Sequence, residues 1–438
     1  MLDLKFVREN PDVIRENIRN RHVSGDVDAV ISLYDQRSAA IQAVESLRNE
    51  RNRNAQAMKG SLPQEERTRL IEEGKSLKEQ IAAAEATLTS VEQELQRRAE
   101  ELPNLTHPDT PSGAQESDNR ELEQVGSVPV FSFTPRDHVA IAEELDLVDF
   151  ENAGRVSGTK FYYLRNEAVY LELALIRFAM DILQNHGFTP MITPDIARTE
   201  VLQGIGFNPR GPESNIYNIE DEGTSLVGTA EITLGGYYQN QTIPAEELPI
   251  RMGGLSHCFR REAGSAGQFS RGLYRVHQFT KVEMFVVCLP EQSEQIHREL
   301  LEIEKEIFSS LEIPFRVLDI CSGDLGGPAF RKYDLEAWMP GRGTAGEWGE
   351  ITSTSNCTDF QSRRLNIRYS GTGADGKKER GYAHLLNGTA VAVSRAIIAI
   401  LENFQQADGS VLIPPALQGY TGFERIPAKR DAGKAKTG

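Results

Sequence analysis

Cysteine is scarce: the 438-residue chain has four, Cys258, Cys288, Cys321 and Cys357, with no CxxC pair. That spacing excludes a zinc knuckle and argues for reduced thiols in a cytoplasm. Cys258 and Cys357 read as buried structural thiols. Long apolar runs are missing too, and none approaches the ~20 residues of a membrane-spanning helix. The opening Met1–Leu2–Asp3–Leu4–Lys5 is charged within three residues and leads into no apolar signal core. No membrane partner is therefore expected. Basic residues are also short: 48 Lys and Arg against 64 Asp and Glu leave a net charge of -16. Bulk charge argues against a nucleic-acid binder, and DNA is not an expected partner; any RNA ligand needs local basic patches. What remains, 39% hydrophobic and 26% charged residues, is the composition of a globular chain with room for two or three domains.

Residues 1 to about 25 read as one short amphipathic helix with Leu4, Val7 and Ile14 inward. From about Asp26 a long helical stretch carries Val30, Leu33, Ala40, Val44, Leu47 and Met58 at three/four spacing, interrupted by Arg37, Arg51 and Asn54. Gly60–Ser61–Leu62–Pro63 breaks it, with Ser61 as the expected N-cap of the next helix. There Leu70, Leu77, Ile81, Ala84, Leu88, Val91 and Leu95 form a heptad seam that Pro103 stops. The pair predicts an antiparallel hairpin roughly 40–50 Å long. On pattern alone it is an oligomerisation coiled coil or spacer, or else an arm whose Arg48, Arg51, Arg53, Lys59, Arg67 and Arg69 meet phosphates. Residues 104–135, punctuated by Pro and Ser, read as a linker. Residues 136–420 mix helical and strand-like runs, an α+β domain. Residues 421–438, with Lys429, Arg430, Lys434 and Lys436, read as a disordered basic tail.

Chemistry concentrates between residues 259 and 285. Phe259–Arg260–Arg261–Glu262 and the run from Gly272 to Phe285 are expected to be two strands around a Gly-rich turn at 263–267. Alternate strand residues share a face, so Arg275, His277, Phe279, Lys281 and Glu283 should point one way. A cation for phosphate, a ring for a base and a carboxylate for an ammonium group are what a site holding ATP beside an amino acid needs. Upstream, a helix over 170–186 has an apolar face of Leu171, Leu173, Ala174, Ile176, Phe178, Ala179, Ile182 and Leu183, followed by a segment whose Pro194 suits a sheet edge. Downstream, the small residues of Gly388–Thr389–Ala390–Val391–Ala392–Val393–Ser394–Arg395 lead into a helix. Its positive end and Arg395 suit a γ-phosphate.

These three separated runs resemble the class II aminoacyl-tRNA synthetases and, within them, the seryl-tRNA synthetase family of the bacterial type, over all but the last dozen or so residues. The resemblance implies a mainly antiparallel catalytic sheet flanked by helices, a two-helix coiled-coil arm (residues 1–103) that grips tRNA(Ser), and a homodimer built on the 170–186 helix. It implies serine–tRNA ligation through seryl-adenylate, with ATP and L-serine as substrates, and extension to tRNA(Sec) where that tRNA exists. Arg260 would contact the α-phosphate and the serine carboxylate, Glu262 the adenine amino group, Phe279 the ring, and Arg275 the folded-back phosphates, with Arg261, Val276, Ile351 and Thr352 completing the ATP site. Arg260 and Arg395 would be the catalytic cations. Glu350 and Ser353 would ligate Mg²⁺, which takes few, hard protein oxygens; only a local irregularity of the strand, or water, brings more than one of this run to a single ion. Serine would be held by Arg260, by Glu283 and Thr389 at its hydroxyl, and by Thr229, Ala230 and Glu231 at its ammonium side, with Asn387 lining the pocket.

Gly371–Thr372–Gly373–Ala374–Asp375–Gly376–Lys377–Lys378 mimics phosphate-binding loops, but Lys378 stands where Ser or Thr should ligate Mg²⁺, and no helix follows, so a hairpin tip is expected. A carboxylate substrate needs no general base, so His277 is expected to make a structural hydrogen bond. The alternatives are another class II amino-acid-activating enzyme and a non-catalytic, synthetase-like regulator.

Overall fold

Pro11 decides how the chain begins. It lacks the N–H that a continuing helix needs, so the expected first helix is two: α1 (Leu4–Glu9) and α2 (Pro11–Asn20). The computed structural model describes residues 1–207, 215–263, 272–372 and 376–428, and the chain divides into two units, Met1–Leu105 and the remainder from Thr106. In the first unit α3 (Val27–Ala57) and α4 (Gln64–Glu100) form the expected hairpin. Arg37 pairs with Glu92 at 2.9 Å and Arg48 with Glu85 at 2.7 Å, so early residues of one helix meet late residues of the other: the helices run antiparallel. Val30, Val44, Leu70, Leu77, Ile81 and Leu95 are buried along the seam. Ser61 does not cap α4; Pro63 stands at that position with no side-chain hydrogen bond. At the base, Asn17 Nδ2 and buried Arg21 donate to the Asn104 carbonyl at 3.0 and 2.9 Å.

The second unit is built on an eight-stranded sheet: β1 (Arg120–Val125), β2 (Thr189–Ile192), β3 (Ile250–Phe259), β4 (Gln278–Cys288), β5 (Phe315–Asp319), β6 (Arg331–Met339), β7 (Glu347–Asn356) and β8 (His384–Ala392). Their spatial order is β1-β5-β6-β7-β8-β4-β3-β2. Every pairing is antiparallel except β2 on β3. The fold class is thus the α+β arrangement expected. The linker is corrected by β1, which lies inside 104–135 and joins the sheet edge. Its side chains are almost all exposed, so no apolar alternation marks it; its backbone ladder to β5 and the 2.6 Å contact of Arg120 with buried Asp319 hold it. The tail boundary shifts as well, because Arg425–Ile426 pairs with Val411–Leu412 and Ile426 is buried in the core. Lys429, Arg430, Lys434 and Lys436 lie outside the described residues. Thr372 pairs with Lys378, as a hairpin predicts; residues 373–375 of that turn are also outside them.

The helices that matter for the site are α5 (Glu167–Asn185), α6 (Ala230–Gly236), α7 (Ser293–Ser310) and α8 (Val393–Asn403). Helices α5, α7 and α8 seal one face of the sheet through a core that includes Leu175, Met284, Val286, Leu300, Leu335 and Ile397. On the other face Phe285, Val287 and Leu385 pack with Ile232 and Leu234 of α6. Strand alternation puts Lys281 and Glu283 on this second face. Thus the helical layer supports the sheet while the polar residues open on its other side.

Candidate active site

Strands β3 and β4 are antiparallel neighbours with Phe259 opposite Gln278, so Arg260–Glu262 leave one strand where Arg275–His277 join the other. This corrects the expected single strand face. Arg260, Arg261, Glu262, Arg275 and His277 lie beyond the strand ends, and only Phe279, Lys281 and Glu283 share a β4 face. Glu262 has φ +49°, and residues 264–271, most of the expected Gly-rich turn, lie outside the described residues. The two ends are tied together: Arg260 N donates to His277 O at 2.9 Å and His277 Nδ1 donates to Arg260 O at 2.8 Å. His277 therefore makes the structural bond expected of it.

This junction opens on a cavity of about 480 Å³ lined by Arg260, Glu262, Arg275, Val276, Phe279, Lys281, Glu350, Ile351, Thr352, Ser353, Thr389 and Arg395. Arg260 donates from Nε to Gly228 O at 3.2 Å, with its guanidinium 5.3 Å from the Phe279 ring centre. Arg275 reaches Glu262 at 3.3 Å, while its buried Nε has no hydrogen-bond partner among the described residues. Arg261 is exposed and not among the lining residues.

A β-bulge brings the proposed metal ligands together. Leu335 of β6 faces Thr352 of β7, but Glu336 faces Glu350, so Ile351 is an extra residue. Cross-strand partners share a face. Glu350 and Ser353 therefore stand beside Glu336 and Asp334 on the open side, whereas the Thr352 hydroxyl turns to α7 and donates to Glu304 at 3.0 Å. Burial works against the Glu350 charge, but Arg395, Lys332 and Arg260 outweigh it and hold the carboxyl down at about 2. Arg395, in the first turn of α8, lies 3.2 Å from Glu350 Oε2 and donates to its carbonyl at 3.0 Å.

Further along β4, Glu283 is 2% exposed. Thr389 Oγ1 donates to its Oε2 at 3.3 Å, and the Lys281 ammonium forms an ion pair with it. Burial pushes the Glu283 carboxyl up while Lys281 opposes that shift. Thr229 caps α6, accepting from Glu231 N at 3.2 Å, and Ala230 is the first residue of that helix. Glu231 accepts from Gln361 at 2.8 Å and from Asn387 Nδ2 at 3.0 Å, and burial pushes its carboxyl up to about 7. Glu231 and Asn387 are therefore brought to each other, and neither lines the 480 Å³ cavity.

Residues 1–106 match the family model for the seryl-tRNA synthetase N-terminal domain, and residues 217–404 that for the tRNA synthetase class II core domain (G, H, P, S and T). The chain is 58% identical to the serine–tRNA ligase of Treponema denticola, over 97% of this chain and all of that protein. The chain belongs to the seryl-tRNA synthetase family. A second family member, from Borrelia recurrentis, is 56% identical over 98% of this chain and all of that protein. The crystal structure of seryl-tRNA synthetase from Pyrococcus horikoshii complexed with ATP matches with a TM-score of 0.86 at 39% identity, covering 98% of this chain and 100% of that one.

Sequence reasoning missed several residues around this synthetase's site, among them Lys332, Lys281, Tyr274 and Arg342. Lys281 was visible only as a same-face neighbour of Glu283 two positions earlier. Tyr274 and Arg342 gave no signal, because the contact between them joins segments far apart in the chain. The Tyr274 ring lies 4.6 Å from the Arg395 guanidinium and 4.8 Å from that of Arg342, and its hydroxyl donates to Glu350 O at 3.3 Å.

Proposed function

We propose that this protein is a serine–tRNA ligase working in two steps at the cavity beneath Arg260. The serine carboxylate oxygen attacks the α-phosphorus of ATP, the bond to the bridging oxygen breaks, and the electron pair leaves with pyrophosphate. A 3′-terminal hydroxyl of tRNA(Ser), or of tRNA(Sec), then attacks the seryl carbonyl, and AMP leaves. The observation that carries the reading is the convergence of Arg260, Glu350 and Arg395 on one cavity with the Glu283–Thr389 pair beside it. A regulator without catalysis has no use for that set. Its work is positioning and charge neutralisation of phosphates.

Mg²⁺ fits the donors present. Among the described residues no three His, Cys, Asp or Glu side chains assemble a protein-only cage, and the ionised Glu350 with Ser353 on the same face suits an ion that keeps waters and phosphates as its other ligands. Bound there by Glu350 and Ser353, it would neutralise phosphate charge. Arg260 orients the two reacting groups, Phe279 offers its ring to the base, and Glu283 with Thr389 accepts the serine hydroxyl. The hairpin α3–α4 grips the tRNA. A second copy of the chain covers the α5 region, where Leu173 and Ile192 are 58% and 84% exposed although apolar. No described helix is long and apolar enough to cross a membrane, and the reduced, buried cysteines suit the cytoplasm.

The test is pyrophosphate exchange into ATP with each of the twenty amino acids, in Mg²⁺ buffer without tRNA. Exchange with serine alone is expected. Exchange with another amino acid would overturn the roles of Glu283 and Thr389, and none at all would favour the non-catalytic reading.

A further inference from the structure

Glu402 lies in the last turn of α8, the helix that carries Arg395 in its first. It is buried, and neither ATP nor serine gives it a task. Its carboxylate accepts three hydrogen bonds: Oε1 from His138 N at 2.9 Å and from His138 Nδ1 at 2.8 Å, and Oε2 from Gly341 N at 2.9 Å. With Nδ1 donating, Nε2 of the same ring is an acceptor, and it receives Leu273 N–H at 3.2 Å. The ring lies flush on this backbone: Gly272 has φ +110°, and a Cβ there would stand 2.4 Å from His138 Nε2.

Both arms of this relay end beside one ring. Leu273 precedes Tyr274, and Gly341 precedes Arg342. Arg342 and Arg395 both lie over Tyr274, whose hydroxyl is bonded to the Glu350 carbonyl. One buried carboxylate thus sets the backbone next to Tyr274, next to Arg342 and, through its own helix, near Arg395. A fully satisfied network of this kind specifies a single geometry.

We propose that Glu402 and His138 are positioning residues for adenylate formation, holding Tyr274 and Arg342 so that Arg395 meets the leaving phosphates. This rests on the ligase reading above and adds the residues that align its phosphate end. Tyr274, Arg342 and Arg395 gather at Glu350, whereas Lys281 and Thr389 gather at Glu283, so the effect falls on ATP and pyrophosphate rather than on serine.

The test uses Glu402→Gln and His138→Asn in the full-length enzyme; the second keeps a donor for Glu402 and removes the acceptor for Leu273. Serine-dependent exchange is measured per active site, counted by the adenylate burst, with Tm recorded alongside. The expected result is a rise in KM for ATP and pyrophosphate of about five- to tenfold with a lower kcat, and a KM for serine within about twofold of the parent. Per-site constants equal to the parent's, with only a lower Tm or a smaller burst, would make the pair mere structural support and overturn the proposal. So would serine and ATP constants moving together. If Glu402→Gln does not fold, His138→Asn carries the same outcomes. If the parent itself shows no serine-dependent exchange, the ligase reading has failed; Mg-ATP affinity of parent and variants by calorimetry then decides the positioning, weaker binding by the variants supporting it and equal binding overturning it.

Discussion

Arg395 holds Glu350 at two points, its Nη1 lying 3.2 Å from the side-chain Oε2 and 3.0 Å from the carbonyl oxygen. In the roles proposed above, the cation for the phosphates is thus paired with the carboxylate for the metal, and Mg-ATP bound there would exchange partners with this pair. A half-buried guanidinium left alone would be destabilised by desolvation, and the pairing offsets that.

Replacing Glu350 by Ala removes the proposed metal ligand together with the partner of Arg395. Serine-dependent exchange is expected to fall by at least about 10²-fold, with a higher Mg²⁺ concentration needed for half-maximal rate. A Mg²⁺ titration of the exchange rate checks this, and an unchanged midpoint would remove Glu350 from the metal site.

Arg260→Ala takes away the guanidinium placed over Phe279. Adenylate formation is expected to drop by about 10²- to 10³-fold while the circular dichroism spectrum stays that of the parent. Near-normal exchange would sink the assignment of this arginine.

Thr389→Val leaves Glu283 without its hydroxyl neighbour and adds a methyl group in the pocket. The ratio of kcat/KM for serine over alanine is expected to shrink by at least about tenfold, because a site built to bond a hydroxyl rejects the analogue lacking it through its unpaired polar groups. Exchange assays with both amino acids read the ratio, and an unaltered ratio would place hydroxyl recognition elsewhere.

His297 on α7 is buried and donates from Nε2 to Thr354 O at 3.1 Å; burial holds its imidazole down at about 4. An unfolded imidazole titrates near 6.5. Between those values the unfolded chain binds the extra proton, so this residue's contribution is intact above pH ~6.5 and is lost as pH falls toward 4, by about 3 kcal/mol in all. Urea unfolding at pH 7 and at pH 4.5 should therefore show a smaller loss for His297→Gln than for the parent. Equal losses would mean that the ring is charged in the folded protein.

Ile192 and Leu173 stand exposed on β2 and α5. Changing either to Glu is expected to shift sedimentation from dimer to monomer and to lower exchange activity. A parent that sediments as a monomer would refute the second-copy reading outright.

The resemblance that named the site was legible because its signals are local. The heptad seam from Leu70 to Leu95 and the helix carrying Arg395 follow from side-chain period, and a short run of residues holds Arg260, Phe279 and Glu283. What stayed hidden depends on partners distant in sequence. Strand β1 is charged and exposed, so only its ladder to β5 reveals it. The single face expected for Arg275 through Glu283 failed at its N-terminal end because strand pairing stops at Gln278. Glu350 and Ser353 share a face only because Ile351 is extra against β6, and a bulge is set by cross-strand register, not by either strand alone. Arg342 and Arg395 meet over Tyr274 only once the sheet has brought their segments together. Residue types and spacing determined by themselves which chemistry this chain carries. The tertiary structure alone decided which of those groups touch, because hydrogen-bond register and packing between remote segments are properties of the assembled sheet.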